Sequence, residues 1–187
     1  MNFTYETDRL YLKIIEPFYA REVLEFYLRN KELFEKNEPL REDGFYTVGH
    51  QKEILKTEYN MALQGTLVRF WIFLKNSDEI IGTISFRNIT RYYTQSCKLG
   101  YKLDERHWGM GYMTEALREG VRIVFDDLKL HRIIAEVMPD NDRSIRLMER
   151  LCFVNEGIQR RIYYINGKWE DHILFSLLSS EVDFEGL

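Results

Sequence analysis

Apolar and polar residues alternate along RLYLKII (9–15), which puts Leu10, Leu12 and Ile14 on one face and predicts a strand. Pro17 suits a first helical turn, and Val23, Leu24, Tyr27 and Leu28 give a helix running to about Asn30 its apolar side. Residues 31–47 are mixed and turn-rich. From His50 to Gln64 the pattern is helical again, with Ile54, Leu55, Tyr59 and Leu63 at helical spacing. LVRFWIFL (67–74) and IIGTISFRNI (80–89) are rich in β-branched and aromatic residues and flank a polar hairpin loop at 75–79. SCKLGYKL (96–103) is a third strand of this run. Over 111–128, Met113, Ala116, Leu117, Val121, Val124 and Leu128 line one face of a long helix. HRIIAEVM (131–138) is a strand stopped by Pro139 and Asn141, and Ile145, Met148 and Leu151 mark a helix over 142–151. The last two strands, 154–165 and 168–178, flank Asn166-Gly167, a pair that accepts positive φ in a tight hairpin turn.

The order β-α-α-β-β-β-α-β-α-β-β predicts an α/β fold of the α+β kind: a mixed sheet with helices on its faces. The strands before and after the long helix can be parallel neighbours through a right-handed crossover. The chain shows no repeat, linker or low-complexity tract, so one domain over 1–187 is expected.

Composition adds exclusions. With 187 residues, 45% hydrophobic and 30% charged, the chain is ordinary for a globular protein. A formal net charge of −4 argues against a phosphate-tracking, direct nucleic-acid role. Cys97 and Cys152 lack metal-ligand spacing and form no disulfide framework, so both are read as buried thiols in a reducing compartment. Early charges in MNFTYETDRLYLKII leave no secretory signal, and no apolar run of about 18 residues predicts a membrane span. A cytoplasmic location is expected, and a homo-oligomer is left open.

The segment DERHWGMGYMTEALREG (104–120) carries candidate chemistry. Its two glycines allow a ligand to approach the backbone, and the helix that follows presents unpaired N–H groups and a dipole suited to an anion. Arg106 adds a planar cation for phosphate. Gly111 is followed by Tyr112 rather than the Lys-Ser/Thr of a P-loop, and Thr114 stands where a dinucleotide fingerprint needs a third glycine. On two glycines alone a bland strand-to-helix turn is the better reading, since such pairs are common.

An Arg-x-x-Gly-x-Gly run between a strand and a long helix resembles the acetyl-CoA-binding motif of the GNAT N-acetyltransferases. Asn141-x-x-Ser144 and Leu151-Cys152-Phe153 also resemble that superfamily. TDRLYL (7–12), GTISF (82–86), LGYKL (99–103), GYMTEA (111–116) and NGKWEDH (166–172) are similar to the Rim-type, RimJ/RimL-like branch of ribosomal-protein N-terminal acetyltransferases. The likeness spans Thr7 to Leu178. It implies the GNAT acyl-CoA N-acyltransferase fold, whose splayed central parallel strands hold acetyl-CoA as cosubstrate, with no metal. Those strands would be 96–103 and 131–138. By the same likeness Arg106, Gly109, Met110, Gly111, Tyr112 and Met113 bind the pyrophosphate, Leu103 lies beside the pantetheine, Asn141 bonds its amides and Ser144 faces the thioester.

The implied activity is acetyl transfer to a primary amine. A protein or peptide N-terminal α-amine, such as that of a ribosomal protein, leads. A small cationic amine (polyamine or aminoglycoside) follows. A CoA-binding protein with little transferase activity, and a nucleotide-binding domain of another kind, stay open. An α-amine has a pKa of about 8 against about 10.4 for lysine, so it needs less help to become neutral. Relatives often carry a glutamate just before the fourth strand's Leu-Gly-Tyr, where this chain has Lys98. Some Rim-type enzymes carry another three residues before the hairpin Asn-Gly, where this chain has Tyr163. No general base carries over. Glu105, Glu136 and the acidic segment 32–43 remain candidates for it, and Ser144 and Tyr163 are the catalytic candidates.

Other residues have plainer readings. Glu115 complements a helix dipole. His107 is a loop residue that could touch phosphate, and His131 is a surface residue. Tyr163 and Tyr164 face opposite sides of a strand, one toward the core and one toward the substrate cleft. Asp171 is structural or substrate-facing, and Cys152 is a packing variant where relatives have glycine, at an αL or capping cost. Residues 33–43 read either as a solvated loop or as an acidic gate that draws a cationic amine.

Overall fold

Eight strands form one sheet in the order β1-β2-β3-β4-β5-β6-β8-β7, seen in a computed structural model that describes residues 1–36, 38–39 and 41–182. The strands are β1 (Thr4–Glu6), β2 (Leu10–Lys13), β3 (Val68–Leu74), β4 (Ile80–Thr90), β5 (Ser96–Leu103), β6 (Arg132–Val137), β7 (Val154–Ile165) and β8 (Lys168–Leu178). The helices are α1 (Ala20–Arg29), α2 (Lys31–Lys36), α3 (Val48–Gln64), α4 (Tyr112–Arg122) and α5 (Asp142–Arg150). Every neighbouring pair is antiparallel except β5 and β6, which the α4 crossover makes parallel.

The β5–β6 ladder is short. It pairs Ser96 with Arg132 and ends at Leu99 with Ala135, while β5 continues to Leu103 and β6 to Val137. The two strands part beyond that rung. The sheet thus opens in a V at its centre, the arrangement expected for 96–103 and 131–138.

Two cores flank the sheet. On one face Leu99 and Cys97 of β5, and Ile133, Ala135 and Val137 of β6, pack under α4 and α5. Gly120 lets α4 sit close on β4: a Cβ there would lie 2.8 Å from Ile84 Cδ1 and 3.0 Å from Phe86 Cζ. On the other face Trp71, Phe73, Phe26, Tyr27 and Leu55 pack beneath α1 and α3. Three T-shaped ring contacts join Phe26, Tyr27 and Trp71 there.

Several expectations change. β1 and α2 are additional elements, and both are short, so no period stands out in their sequence. Leu28 and Leu63 are exposed, and α1 buries Phe26 instead, because its apolar face turns toward Trp71. The expected single helix over 111–128 changes pitch: α4 is followed by a π-helical turn at Ile123–Asp127, and Leu128 N–H reaches back to Ile123 O. Cys97 is buried but Cys152 is exposed. Cys152 sits at φ 60°, just past α5, where its N–H bonds Glu149 O and the Phe153 N–H bonds Met148 O. That is the hydrogen-bond pair of a Schellman cap, made without glycine. The domain expectation for 1–187 reaches residues 183–187, which lie outside the described residues. Among the described residues no helix is long and apolar enough to cross a membrane.

Candidate functional site

The loop after β5 is held from three sides. Asp104, buried, receives the Arg29 Nε at 2.7 Å, the Arg106 Nη2 at 2.9 Å and the Arg106 N–H at 3.0 Å. Burial alone would raise its pKa, but the hydrogen bonds from Arg106 and Arg29 reverse this and hold the carboxyl well below the usual range. Arg106 also reaches Glu79 at 2.5 Å. Its guanidinium is therefore already engaged by two carboxylates, although half its side chain is exposed. The cation expected to meet phosphate serves here to brace the loop.

A second brace comes from the chain's start. Glu115 receives the Thr7 hydroxyl at 2.6 Å, the Arg9 N–H at 2.8 Å and the Arg9 Nε at 2.6 Å. Burial opposes its charge, yet these donors outweigh that and lower its pKa. Arg9 also donates to Met110 O at 2.9 Å and lies 4.5 Å over the Tyr112 ring. Glu115 thus acts beyond its own helix. The third brace is Trp108, whose Nε1 donates to Leu103 O and whose ring carries the Arg143 guanidinium of α5.

Gly109 and Gly111 have φ of 76° and 79°, in the left-handed region. A Cβ at Gly109 would meet nothing within 4 Å, so the requirement there is conformational rather than one of space. The first α4 turn bond runs from Glu115 N–H to Gly111 O. The N–H groups of Tyr112, Met113 and Thr114 precede it and point out of the helix start. Gly111 and Met110 are exposed beside them. Backbone donors arranged this way at a helix start suit an anion. His107 lies next to it, its ring 6.0 Å from Tyr112.

Asn141, Ser144 and Tyr101 lie together at the opening between β5 and α5. Asn141 caps α5, its Oδ1 accepting the Ser144 N–H at 3.1 Å. The Asn-x-x-Ser spacing thus has a local cause, an N-cap. The cap uses only the amide oxygen of Asn141. Tyr101, on the diverging part of β5, has a buried hydroxyl with no hydrogen-bond partner among the described residues. Burial pushes this phenol up to about 12, and the nearby Ser144 hydroxyl opposes the shift. A buried, protonated and unpartnered donor beside Ser144 can serve a developing thiolate. Tyr101 was not singled out from the sequence. The signal available was its place two residues past Leu99, on the Leu99 face of β5.

The opposite face differs. Lys98 donates to Glu136 Oε1 at 2.8 Å and Tyr163 Oη donates to Glu136 Oε2 at 2.5 Å. The Lys98 ammonium loses by burial but gains more from Glu136, so its pKa is raised. The Tyr163 phenol is raised by burial and by Glu136. Tyr163 is half-buried and Tyr164 is exposed, its ring tilted against Trp169 at 5.5 Å, so neither tyrosine enters the core. Further along β5, Lys102 pairs with Glu38, which also takes Arg41. Burial pulls the Lys102 ammonium down to about 8. At the groove's rim the Asn166 amide donates to Glu35 O and Lys36 O, both at 3.1 Å, so the β7–β8 turn rests on the end of α2. Of the acidic segment 33–43, Asn37 and Leu40 lie outside the described residues, and Glu38 is matched by cations rather than free.

Glu105 is exposed beside the donor loop and receives no acceptor-side contact; its N–H bonds Asn30. Asp171 accepts the Arg161 N–H at 2.7 Å, fastening the irregular register of β7. Among the described residues no group of three or more His, Cys, Asp or Glu could hold a metal ion.

The profile of the acetyltransferase (GNAT) domain family matches residues 9–154. The chain belongs to the GNAT acetyltransferases. It is 40% identical over 173 residues to the probable N-acetyltransferase YjcK of Bacillus subtilis, covering 92% of this chain and 95% of that protein. It is 33% identical over 177 residues to the ribosomal protein uS5-alanine N-acetyltransferase of Escherichia coli, covering 94% and 90%. The solved structure of ribosomal-protein-S5-alanine acetyltransferase from Vibrio fischeri superposes with a TM-score of 0.91 at 31% identity, covering 97% of this chain and 100% of that one. RimJ of Mycobacterium smegmatis, solved with CoA-disulfide, gives 0.86 at 26% identity, covering 92% and 83%. The acetyltransferase is thus of the Rim-type branch, and GNAT acetyltransferases use acetyl-CoA.

Proposed function

We propose that this acetyltransferase moves the acetyl group of acetyl-CoA to the α-amine of a protein or peptide N-terminus, with a ribosomal-protein N-terminus as the leading acceptor. The residues 1–187 act as one GNAT domain in this reading. Such an acceptor would place the reaction in the cytoplasm. The observation that carries the acceptor choice is that the two carboxylates beside β5, Glu136 and Glu38, are already matched by cations. Glu136 is matched by Lys98, and Glu38 by Lys102 and Arg41. A polyamine or aminoglycoside would need uncompensated carboxylates to offset its several charges. An α-amine brings one charge and sheds it near neutral pH. The uS5-alanine specificity named for the relatives agrees with this.

On the donor side, the backbone N–H groups at Gly109–Met113 would hold the pyrophosphate, Asn141 the pantetheine amides and Leu103 its chain. The thioester supplies the activated acetyl group. Tyr101 and Ser144 hold hydroxyls where the departing sulfur would lie. Arg106 acts by bracing the loop through Asp104. Thiol release from acetyl-CoA tests the reading, with peptides beginning in Ala or Ser set against spermidine and an aminoglycoside. Peptide turnover at least tenfold above that of the cationic amines is expected. A preference for the cationic amines would overturn the reading.

A further inference from the structure

Both positions at which this chain lacks a glutamate present in relatives send their side chains to the same carboxylate. Lys98 and Tyr163 occupy the two oxygens of Glu136. Glu136 is the first residue of β6 beyond the last parallel rung, Leu99 with Ala135, and Lys98 is the residue of β5 just before it. The cluster therefore stands at the apex of the V, on the face opposite Tyr101 and Ser144. The Glu136 side chain is nearly buried, at 9% exposure, while Lys98 is 34% exposed toward the groove. Tyr163 is half-open, and its ring is propped by the buried His172, 4.8 Å away at an interplanar angle of 73°. The hydroxyl oxygen of Tyr163 keeps a lone pair while its proton points at Glu136.

Resting on the amine-acetylation reading above, we propose that Tyr163 and Glu136 form the proton relay of this enzyme, with Tyr163 touching the acceptor nitrogen and Glu136 receiving the proton through it. The neutral amine attacks the thioester carbonyl and the C–N bond forms. The adduct nitrogen then gives a proton to Tyr163 Oη as the Tyr163 hydroxyl proton passes to Glu136 Oε2. The C–S bond breaks, and the sulfur takes a proton from the hydroxyl side of the V. Glu136 then releases its proton to solvent, and solvent returns one to the hydroxyl that protonated the sulfur. The products are the acetamide and the free CoA thiol, and no other reactant is needed. Lys98 holds the other Glu136 oxygen, so the carboxylate keeps its orientation while it works. The raised Tyr163 phenol stays protonated near neutral pH and so remains the donor.

The test is the ratio of variant to wild-type turnover with one acceptor, read with CoA affinity and thermal melting. Glu136→Gln keeps an acceptor oxygen for Lys98, turns the Tyr163 bond round so that the amide NH2 donates to Oη, and takes no proton. It should lower kcat by about 100-fold at pH 7, with a rate that climbs steeply toward pH 9 as solvent replaces the relay. Tyr163→Phe should lower kcat by about tenfold or more, and Glu136→Asp should recover part of the loss. CoA affinity should hold in all three. The relay is overturned if Glu136→Gln keeps kcat within threefold across pH 6–9, or if its loss falls wholly in KM or melting temperature. A wild-type preference for small amines would sink the N-terminal acceptor reading alone, since the ratio tests the relay with either acceptor.

Discussion

The two faces of the sheet at the β5–β6 opening are built differently. The donor face uses backbone N–H groups, two left-handed glycines and uncharged hydroxyls. The face proposed for the acceptor uses side-chain ion pairs drawn from distant parts of the chain: Lys98 with Glu136, and Lys102 with Glu38, 64 residues away. A pyrophosphate is the same in every turnover, and a fixed array of backbone donors suits it. On the proposed reading the acceptor is met by side chains, which change by single substitutions without rebuilding the strand. The difference also shows where charge sits. Donor-side charges brace the loop from behind, whereas acceptor-side charges face the groove.

Four changes probe this division. Gly111→Val forces a β-branched residue to φ 79° and should weaken CoA roughly 30-fold through about 2 kcal/mol of strain. Calorimetry should show that loss while α4 helicity persists, and unchanged affinity would mean the loop tolerates another conformation. Asp104→Asn removes a buried carboxylate from two guanidiniums and should cost about 2 kcal/mol at pH 7. Because the folded pKa lies below the unfolded one, this stability is present above the ordinary carboxylate pKa and is lost as pH falls through the folded value. The gap between wild-type and variant melting temperatures should therefore close below about pH 4. Tyr101→Phe should lower kcat by about tenfold yet leave melting unchanged or slightly higher, since the only polar neighbour of its buried hydroxyl, Ser144, lies outside good hydrogen-bond geometry. Parallel loss of stability would assign that hydroxyl a structural role. Arg9→Ala should be mildest, with CoA affinity falling about threefold and acceptor KM unmoved. A change confined to acceptor KM would erase the distinction between the faces.

The geometry of the loop after β5 and of the α5 cap was largely legible because its logic is local. A strand end, two glycines and a helix start lie within Leu103–Met113, and Asn141 and Ser144 lie within one helical turn. The parallel strands and the closing hairpin followed from period and turn chemistry. Arg106 shows the limit of local reading. Its charge suited phosphate, but Glu79 and Asp104 claim it, and Glu79 lies in another hairpin. The acceptor face was less legible for the same reason. That Lys98 and Tyr163 meet at Glu136 depends on β8 lying between β6 and β7, a sheet order with no short-range signature. Cys152 was read correctly as an αL or capping problem, but its exposure was not, because the cap turns the side chain outward.

The latch between Arg9 and Glu115 joins residues 106 apart in the chain. Its consequence concerns the order of events during synthesis. The glycine loop and the first turn of α4 emerge long after the first strands, yet they are completed by contacts to them. Closing a loop of that length is an entropic cost met only when the intervening strands have paired. A nascent chain that has already made its hairpin β3–β4 therefore still lacks the finished loop proposed to hold acetyl-CoA. Ligand affinity then becomes a reporter of late folding: it should appear in the same kinetic phase as docking of the N-terminal residues, after the bulk of the sheet has formed.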